Sequence, residues 1–289
     1  MDRKRAPFLS SSGIQKYGLI FLIVLFLTAA IHHVCSSSDV SSYFSIGFRG
    51  VPDNLAKRMK YQRDTISFQL NNLMKLYGQQ NCQIHKLTMT DFRISDNGGW
   101  CEESSRPGSR LHSWDKGFSI ALSEFLKGKT VGSFGDGPGD YKKHLDSLGQ
   151  MKSYTAYDGA PYAEEVTKGL VEFLDLSAPQ YGLPIFDWVV SVEVGEHIPA
   201  KYEDVYLDNL VRHAREGLII SWATPGQKGL SHVNNKPLNA VIKQLEKRNF
   251  HIDIKAGEPL RNASTVFWLQ KNIHVYYRAP LSSLVEVDA

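Results

Sequence analysis

Thr130-Val131-Gly132-Ser133-Phe134-Gly135-Asp136-Gly137-Pro138-Gly139-Asp140 runs from a short apolar stretch through three glycines into a polar segment. The apolar part reads as a strand, and the glycines allow a tight turn over which a ligand can approach the backbone. A helix is expected over 140–148, stopped by Gly149. The alternation continues outward. A second strand over 153–157 ends at Asp158, with a helix at 161–169, and a short strand over 171–174 ends at Asp175. Residues 186–192 are nearly continuous in apolar side chains, as in a strand covered on both faces. A helix at 202–215, a strand at 217–222, a helix at 238–248 and late strands at 251–255 and 273–277 follow. Before the glycine turn, Ser113 reads as the cap of a helix to about 127. Such alternation implies an α/β fold, doubly wound, with a mostly parallel sheet and helices on both faces.

Ligands in these sheets lie at the carboxyl ends of the strands. That rule brings Gly135, Asp158, Asp175 and Glu193 to one rim. Asp158, about 20 residues beyond the turn, is placed to accept hydrogen bonds from ribose hydroxyls; its alternative is a helix-capping aspartate before Pro161. The glycine spacing is G-x-G-x-G rather than G-x-G-x-x-G, and Asp140 follows at once. A carboxylate at a helix entrance repels a pyrophosphate and tolerates a cationic sulfonium, so the residues favour a methyl donor over a dinucleotide.

Two motifs then resemble a family. Val131 to Gly139 looks like the first motif of class I S-adenosylmethionine-dependent methyltransferases. Phe186-Asp187-Trp188-Val189-Val190-Ser191-Val192-Glu193-Val194-Gly195-Glu196-His197-Ile198-Pro199 is similar to their fourth-strand motif. The resemblance covers roughly 130–278 and implies a seven-stranded sheet with an antiparallel last strand. It implies S-adenosyl-L-methionine as cofactor, with Gly135, Asp136, Gly137 and Gly139 around its amino acid portion. Asp158 would hold the ribose, Asp175 and Leu176 would flank the adenine, and Glu193 would sit beside the substrate. Ser133 departs from the pattern, since the family usually has an acidic residue there; Asp136 or Asp140 is the available compensation.

Methyl transfer from a sulfonium depends chiefly on positioning, and a base is needed only when the acceptor loses a proton. The base candidates are His232, His197 and Glu193. His232 falls in a polar, turn-rich segment, 221–234, that follows the fifth strand and resembles an element of a methyltransferase subgroup. A loop-organising role for His232, a helix-bracing role for His197, and an amide-binding role for Glu193 are the plainer alternatives. Trp222 reads as packing before stacking. The expected function is an S-adenosylmethionine-dependent methyltransferase of unspecified acceptor (a small metabolite, glycan or secreted protein). The alternatives are a catalytically silent methyltransferase-like binding protein and a nicotinamide-dependent enzyme.

The 289 residues carry a net charge of +3, and Arg3, Lys4, Arg5 and Lys16 against Asp2 account for all of it. No uniformly basic nucleic-acid face is indicated. A basic leader at 1–16 precedes an apolar run at 17–34, which reads as a signal anchor or a cleaved signal peptide, with a buried core helix as the third reading. Either of the first two predicts a domain in the secretory pathway, the anchor making it a single-pass membrane protein facing the lumen. A stem and helical extension would fill 35–112, including a helix at 53–77, the methyltransferase domain 113–280, and a tail 281–289. Asn262-Ala263-Ser264 is a glycosylation sequon. Cys82 and Cys101 are either a bridge or two free thiols, and no cysteine–histidine spacing suggests a zinc site, so no metal is expected.

Overall fold

The computed structural model describes residues 53–88, 94–102, 106–107 and 112–280. The chain divides into two compact units, Met1–Arg58 and Met59–Ala289. Of the first, only 53–58 are described, as the start of helix α1 (Asp53–Thr88). The sheet and both apolar cores belong to the second.

Seven strands form one sheet: β1 (Thr130–Phe134), β2 (Ser153–Asp158), β3 (Glu172–Phe173), β4 (Phe186–Ser191), β5 (Ala214–Ile220), β6 (Phe250–Asp253) and β7 (His274–Arg278). Their spatial order is β3-β2-β1-β4-β5-β7-β6. Neighbours from β3 through β5 run parallel, whereas β7 is antiparallel to both β5 and β6. The sheet is therefore mixed, with β7 the one reversed strand among the seven. The chain winds outward from β1 through β2 to β3, then returns to β4 on the other side of β1. Strand order reverses between β1 and β4, and a crevice opens there beyond the strand ends.

Helices α2 (Lys116–Phe125), α3 (Asp140–Leu148), α4 (Ala163–Thr167), α5 (Glu203–His213), α6 (Leu238–Glu246), α7 (Glu258–Ala263) and α8 (Leu269–Asn272) lie between the strands. Two apolar cores result. Phe118, Leu122, Val131, Leu145 and Ile219 belong to one, and Phe134, Val189, Tyr206, Leu210 and Leu218 to the other. A register shift between Phe186 and Trp188 accompanies their placement in opposite cores. Gly132 in β1 has no Cβ because the Phe186 ring occupies that space.

The cap of α2 is Asp115, not Ser113 as expected. Its Oδ1 accepts from Phe118 N at 3.0 Å, and its Oδ2 accepts from Ser264 Oγ, Thr265 N and Val266 N at 2.5, 2.7 and 2.9 Å. One carboxylate thus starts a helix and fixes the chain after α7. Those bonds hold the carboxyl below its ordinary pKa against the opposing effect of burial. Asn262 of the sequon is exposed on α7, while Ser264 is buried on Asp115.

Helix α1 runs eleven residues past its expected end at 77. From Ser67 onward it docks through polar and small side chains. Ser67 Oγ donates to Pro179 O, Asn71 Nδ2 to Phe173 O, and Gln79 Nε2 to Pro161 O. Gly78 lies so close to Pro161 that a Cβ would collide with its ring. The apolar side chains Met59, Ile66, Leu73 and Leu76 of α1 are left in solvent, each at least half exposed.

Cys82 of α1 is bonded to Cys101, with Cα atoms 5.7 Å apart and a sequence separation of 19. Asn97 and Trp100 lie inside the closed loop.

Among the described residues no helix is long and apolar enough to cross a membrane. Even α1, the longest, is charged or polar through most of its length. This overturns the expected single-pass, lumen-facing membrane protein. The leader at 1–16 and apolar run at 17–34 that suggested it lie outside the described residues, as do Cys35 and the tail 281–289.

The disulfide gives a first prediction. Replacing both Cys82 and Cys101 by alanine should lower stability by about 3 kcal/mol, the chain-entropy value for a loop of roughly 20 residues. Urea unfolding with and without reductant measures it. An unchanged midpoint in both the variant and the reduced protein would show that the bridge constrains nothing.

Candidate functional site

The crevice is a cavity of about 350 Å³, within the range of small-ligand sites. It lies where β1, β2 and β4 end, and the residues expected from the sequence meet there. Ser133, Gly135, Asp136, Gly137, Asp158, Asp175, Leu176, Glu193, His197 and His232 all line it. Gly139 does not. It stands at the N-cap of α3 with φ 81°, and Asp140 is likewise off the cavity wall.

The turn is held from within. Gly135 N and Asp136 N both donate to Tyr157 O, at 2.8 and 2.9 Å, and Gly137 N donates to Asp158 Oδ2 at 2.8 Å. Gly135 and Gly137 have φ of 101° and 65°, a region that penalises any side chain. Above Gly137 lies the His112 ring, a residue the sequence did not single out.

Asp136 is 2% exposed. Its Oδ1 accepts from the Tyr154 hydroxyl at 2.6 Å, and its Oδ2 accepts from Lys142 N at 3.4 Å. Asp136 therefore occupies the amino end of α3, where a phosphate would otherwise bind. Burial pushes its pKa up to about 7, against the lowering effect of the Tyr154 and Ser133 hydroxyls beside it. The acid missing at Ser133 is thus present three residues further on, packed against that serine.

Asp158 accepts from Ala160 N and Gly137 N, both at 2.8 Å. It caps no helix, since the N-cap of α4 is Tyr162; it closes a local turn and holds Gly137, and each oxygen retains a second lone pair. Asp175 accepts from Ser177 N and Oγ, and from Asn97 Nδ2 at 3.0 Å. Asn97 comes from the disulfide-closed loop, and Ser95 Oγ donates to its Oδ1. Burial raises the pKa of Asp158 and of Asp175 above the usual carboxylate value, with their hydrogen bonds opposing.

Glu193 follows β4 in the left-handed region, φ 54°, a strained conformation for a residue with a side chain. Its Oε1 accepts from Ser221 Oγ at 2.9 Å and its Oε2 from Gln227 Nε2 at 2.8 Å. Burial raises its pKa, against the bonds from Ser221 and Gln227. Gln227 is fixed in turn by Asn272 Nδ2 at 2.9 Å. His197 and His232 stand edge to face, ring centroids 5.1 Å apart. Burial brings the His197 pKa down to about 4, with the nearby His232 adding to the effect and the Ser231 carbonyl opposing it. His197 is therefore neutral at pH 7 and a poor proton acceptor. Trp222 packs rather than lining this cavity: its Nε1 donates to Asn234 O at 2.7 Å and its ring covers Gly195.

The site residues that sequence reasoning missed are Asn97, Trp100, His112 and Tyr154. Only Asn97 had a local signal, the Asn97-Gly98-Gly99 turn between the paired cysteines.

No protein-family model matches the chain, and no curated protein matches it. Solved structures similar to it include S-adenosylmethionine-dependent methyltransferases. Magnesium protoporphyrin IX methyltransferase from Synechocystis PCC 6803 with bound SAM is 18% identical over 56% of this chain and 76% of its own, with a TM-score of 0.41. The N-methyltransferase NodS from Bradyrhizobium japonicum WM9, with S-adenosyl-l-homocysteine, is 16% identical over 62% and 95%, with a TM-score of 0.41. The 1,6-didemethyltoxoflavin-N1-methyltransferase from Burkholderia thailandensis is 16% identical over 57% and 77%, with a TM-score of 0.39. At these identities and TM-scores the likeness has no weight for this chain's ligand or reaction.

The buried Asp136 gives a second prediction. A carboxyl raised from 3.8 to about 7 keeps its proton in the folded chain while the unfolded chain has lost it. Stability therefore falls as pH rises between those values. Between pH 5 and pH 8, wild type should lose roughly 2–3 kcal/mol relative to Asp136→Asn, at about 1.4 kcal/mol for each pH unit crossed below the folded-state pKa. Urea unfolding at the two pH values measures the difference. Parallel behaviour of the two proteins would show that Asp136 is ionised throughout.

Proposed function

We propose that this chain is an S-adenosylmethionine-dependent methyltransferase whose cofactor lies over Gly135–Gly139. The observation that carries the reading is electrostatic. Asp136, Asp158 and Asp175 are buried or half-buried carboxyls lining one cavity, and Asp136 already fills the amino end of α3. The amides of Gly135, Asp136 and Gly137 are all consumed within the fold. A pyrophosphate would find those three amides already taken and several carboxyl groups facing it. A ligand with a sulfonium and an ammonium group meets the opposite situation, since positive charge offsets what burying those acids costs.

On this reading Asp136, with Ser133 and Tyr154, faces the ammonium end of the methionine portion. Asp158 takes the ribose hydroxyls on its remaining lone pairs. Asp175 and Leu176 flank the adenine, with Asn97 orienting the Asp175 carboxylate. Glu193 closes the cavity on the acceptor's side. The strand order with a single reversed strand, β7, supports the reading because the motif resemblance implies it. When bound, the cofactor supplies an electrophilic methyl group. The residues here supply position and field, the two contributions such a displacement needs most.

Isothermal titration calorimetry tests this. S-adenosylmethionine and its demethylated product should both bind wild type, and NAD should not. Asp158→Ala, with its circular dichroism unchanged, should weaken both by about 10- to 100-fold, the range for a lost hydrogen bond to a charged group. Folded wild type that binds neither sulfur compound would overturn the cofactor; binding of NAD in their place would favour the nicotinamide alternative.

A further inference from the structure

Glu196 is 0% exposed, and neither oxygen of its carboxylate closes a hydrogen bond, although the amides of Glu196 and Ala223 and the Glu193 carboxyl lie close by. A carboxylate left this way is costly unless something positive sits against it. Among the described residues no lysine or arginine forms an ion pair with it; Lys236, further along the same segment, pairs with Glu203 instead. Two histidines also lie near Glu196. One ligand atom each from Glu196, His197 and His232 lie within 4.8 Å of one another.

The two rings are fixed in the same way. His197 Nδ1 and His232 Nδ1 each lie 3.2 Å from a backbone carbonyl, of Ser231 and Gln227 respectively. A carbonyl only accepts, so each Nδ1 is the protonated nitrogen and each Nε2 holds the free lone pair. Metal-binding histidines are oriented by this kind of carbonyl contact. Gly229 packs so closely on the Nε2 end of the His232 ring that a Cβ there would strike it.

We propose that Glu196, His197 and His232 form a binding site for one divalent transition-metal ion, with open coordination positions directed into the cavity. Two imidazoles and one carboxylate form a donor set suited to zinc or manganese and poorly suited to magnesium or calcium. Ligand atoms on one such ion stand about 3–3.5 Å apart, given bonds of about 2.0–2.2 Å, so small side-chain rotations close the site. The adjoining Glu193, held by Ser221 and Gln227, supplies a second carboxylate, and the two together match the ion's charge.

The site also narrows the acceptor, a step that rests on the methyltransferase reading. His197, His232 and Glu193 line the cavity that holds Asp136 and Asp158. An ion there would take an oxygen of the acceptor, which assigns hydroxyl compounds as the substrate class. The acceptor O–H bond breaks and its proton passes to solvent. The oxygen lone pair forms the bond to the methyl carbon, and the C–S electron pair stays on sulfur, leaving a neutral thioether.

The test uses untagged full-length protein stripped with a chelator and titrated with zinc, manganese or magnesium chloride. Wild type should take up one equivalent of zinc or manganese by calorimetry and metal analysis, with a raised Tm, and should bind magnesium far more weakly. Glu196→Gln and His232→Ala should each weaken uptake at least 30-fold. Glu196→Gln keeps the side chain's shape and removes the buried acid, so its metal-free Tm should equal or exceed wild type's. Asp158→Ala should retain full metal uptake, which separates failure of this site from failure of the cofactor reading. In the cobalt(II) form, acetohydroxamate should shift the visible spectrum by occupying the open positions; an unchanged spectrum would overturn the hydroxyl-acceptor assignment. No uptake by wild type, or uptake that both ligand variants preserve, would overturn the metal site and leave Glu193 and Glu196 as a pair sharing a proton.

Discussion

A carboxyl group taken out of water must be paired, protonated or matched by a ligand, and the architecture around β1 follows from how Asp136 meets that demand. It takes a hydrogen bond from the Tyr154 hydroxyl and a longer one from Lys142 N in the first turn of α3. Both partners come from elements that the glycine turn joins or adjoins. The turn therefore has two tasks: it closes on Tyr157 and Asp158 through its own amides, and it carries an acid into the protein at the head of a helix. With its pKa raised toward neutrality, that acid is held at a cost which a cation bound beside it would offset.

The wall opposite the sheet is built by a different device. The loop at 94–102 has little regular structure beyond a bridge between Ile94 and Trp100. It is positioned by the Cys82–Cys101 bond and by Asn97 on Asp175. Helix α1 anchors that loop by gripping the β3 side of the sheet through Asn71, Lys75 and Gln79. Distant sequence thus converges on the strand ends: α1 and its loop from one side, and the segment after β5, with Gln227 and His232, from the other. Trp100 shows this convergence, since its ring meets both His112 and His197 edge-on.

The parallel strands and their acidic ends were legible because each ends in a change of composition: apolar run, then glycine or acid. Burial on both faces enforces that pattern, so Gly135, Asp158, Asp175 and Glu193 could be assigned to one rim without coordinates. What local pattern does not encode was not legible. The apolar side chains of α1 do not mark its docking face: the helix docks through Ser67, Asn71 and Gly78, whose role depends on partners about a hundred residues away. Asp136 was legible as an acid of the glycine turn and a substitute for the one absent at Ser133, but nothing in the sequence says that Tyr154 would bury it. His197 and His232 read as base candidates. Their shared orientation by carbonyls, and the unpartnered Glu196 beside them, are properties of three-dimensional placement alone. The expectation of a membrane protein rested on residues 17–34, and no described helix supports it.

We propose that this acid-lined cavity receives a cationic nucleoside across Gly135–Gly139. A crystal structure of the protein with S-adenosylhomocysteine tests it most directly. In it the ribose should lie on Asp158, the adenine beside Leu176 and the amino group within hydrogen-bond reach of Asp136. A ligand bound elsewhere, or one whose carboxylate rather than amino group faces Asp136, would contradict it.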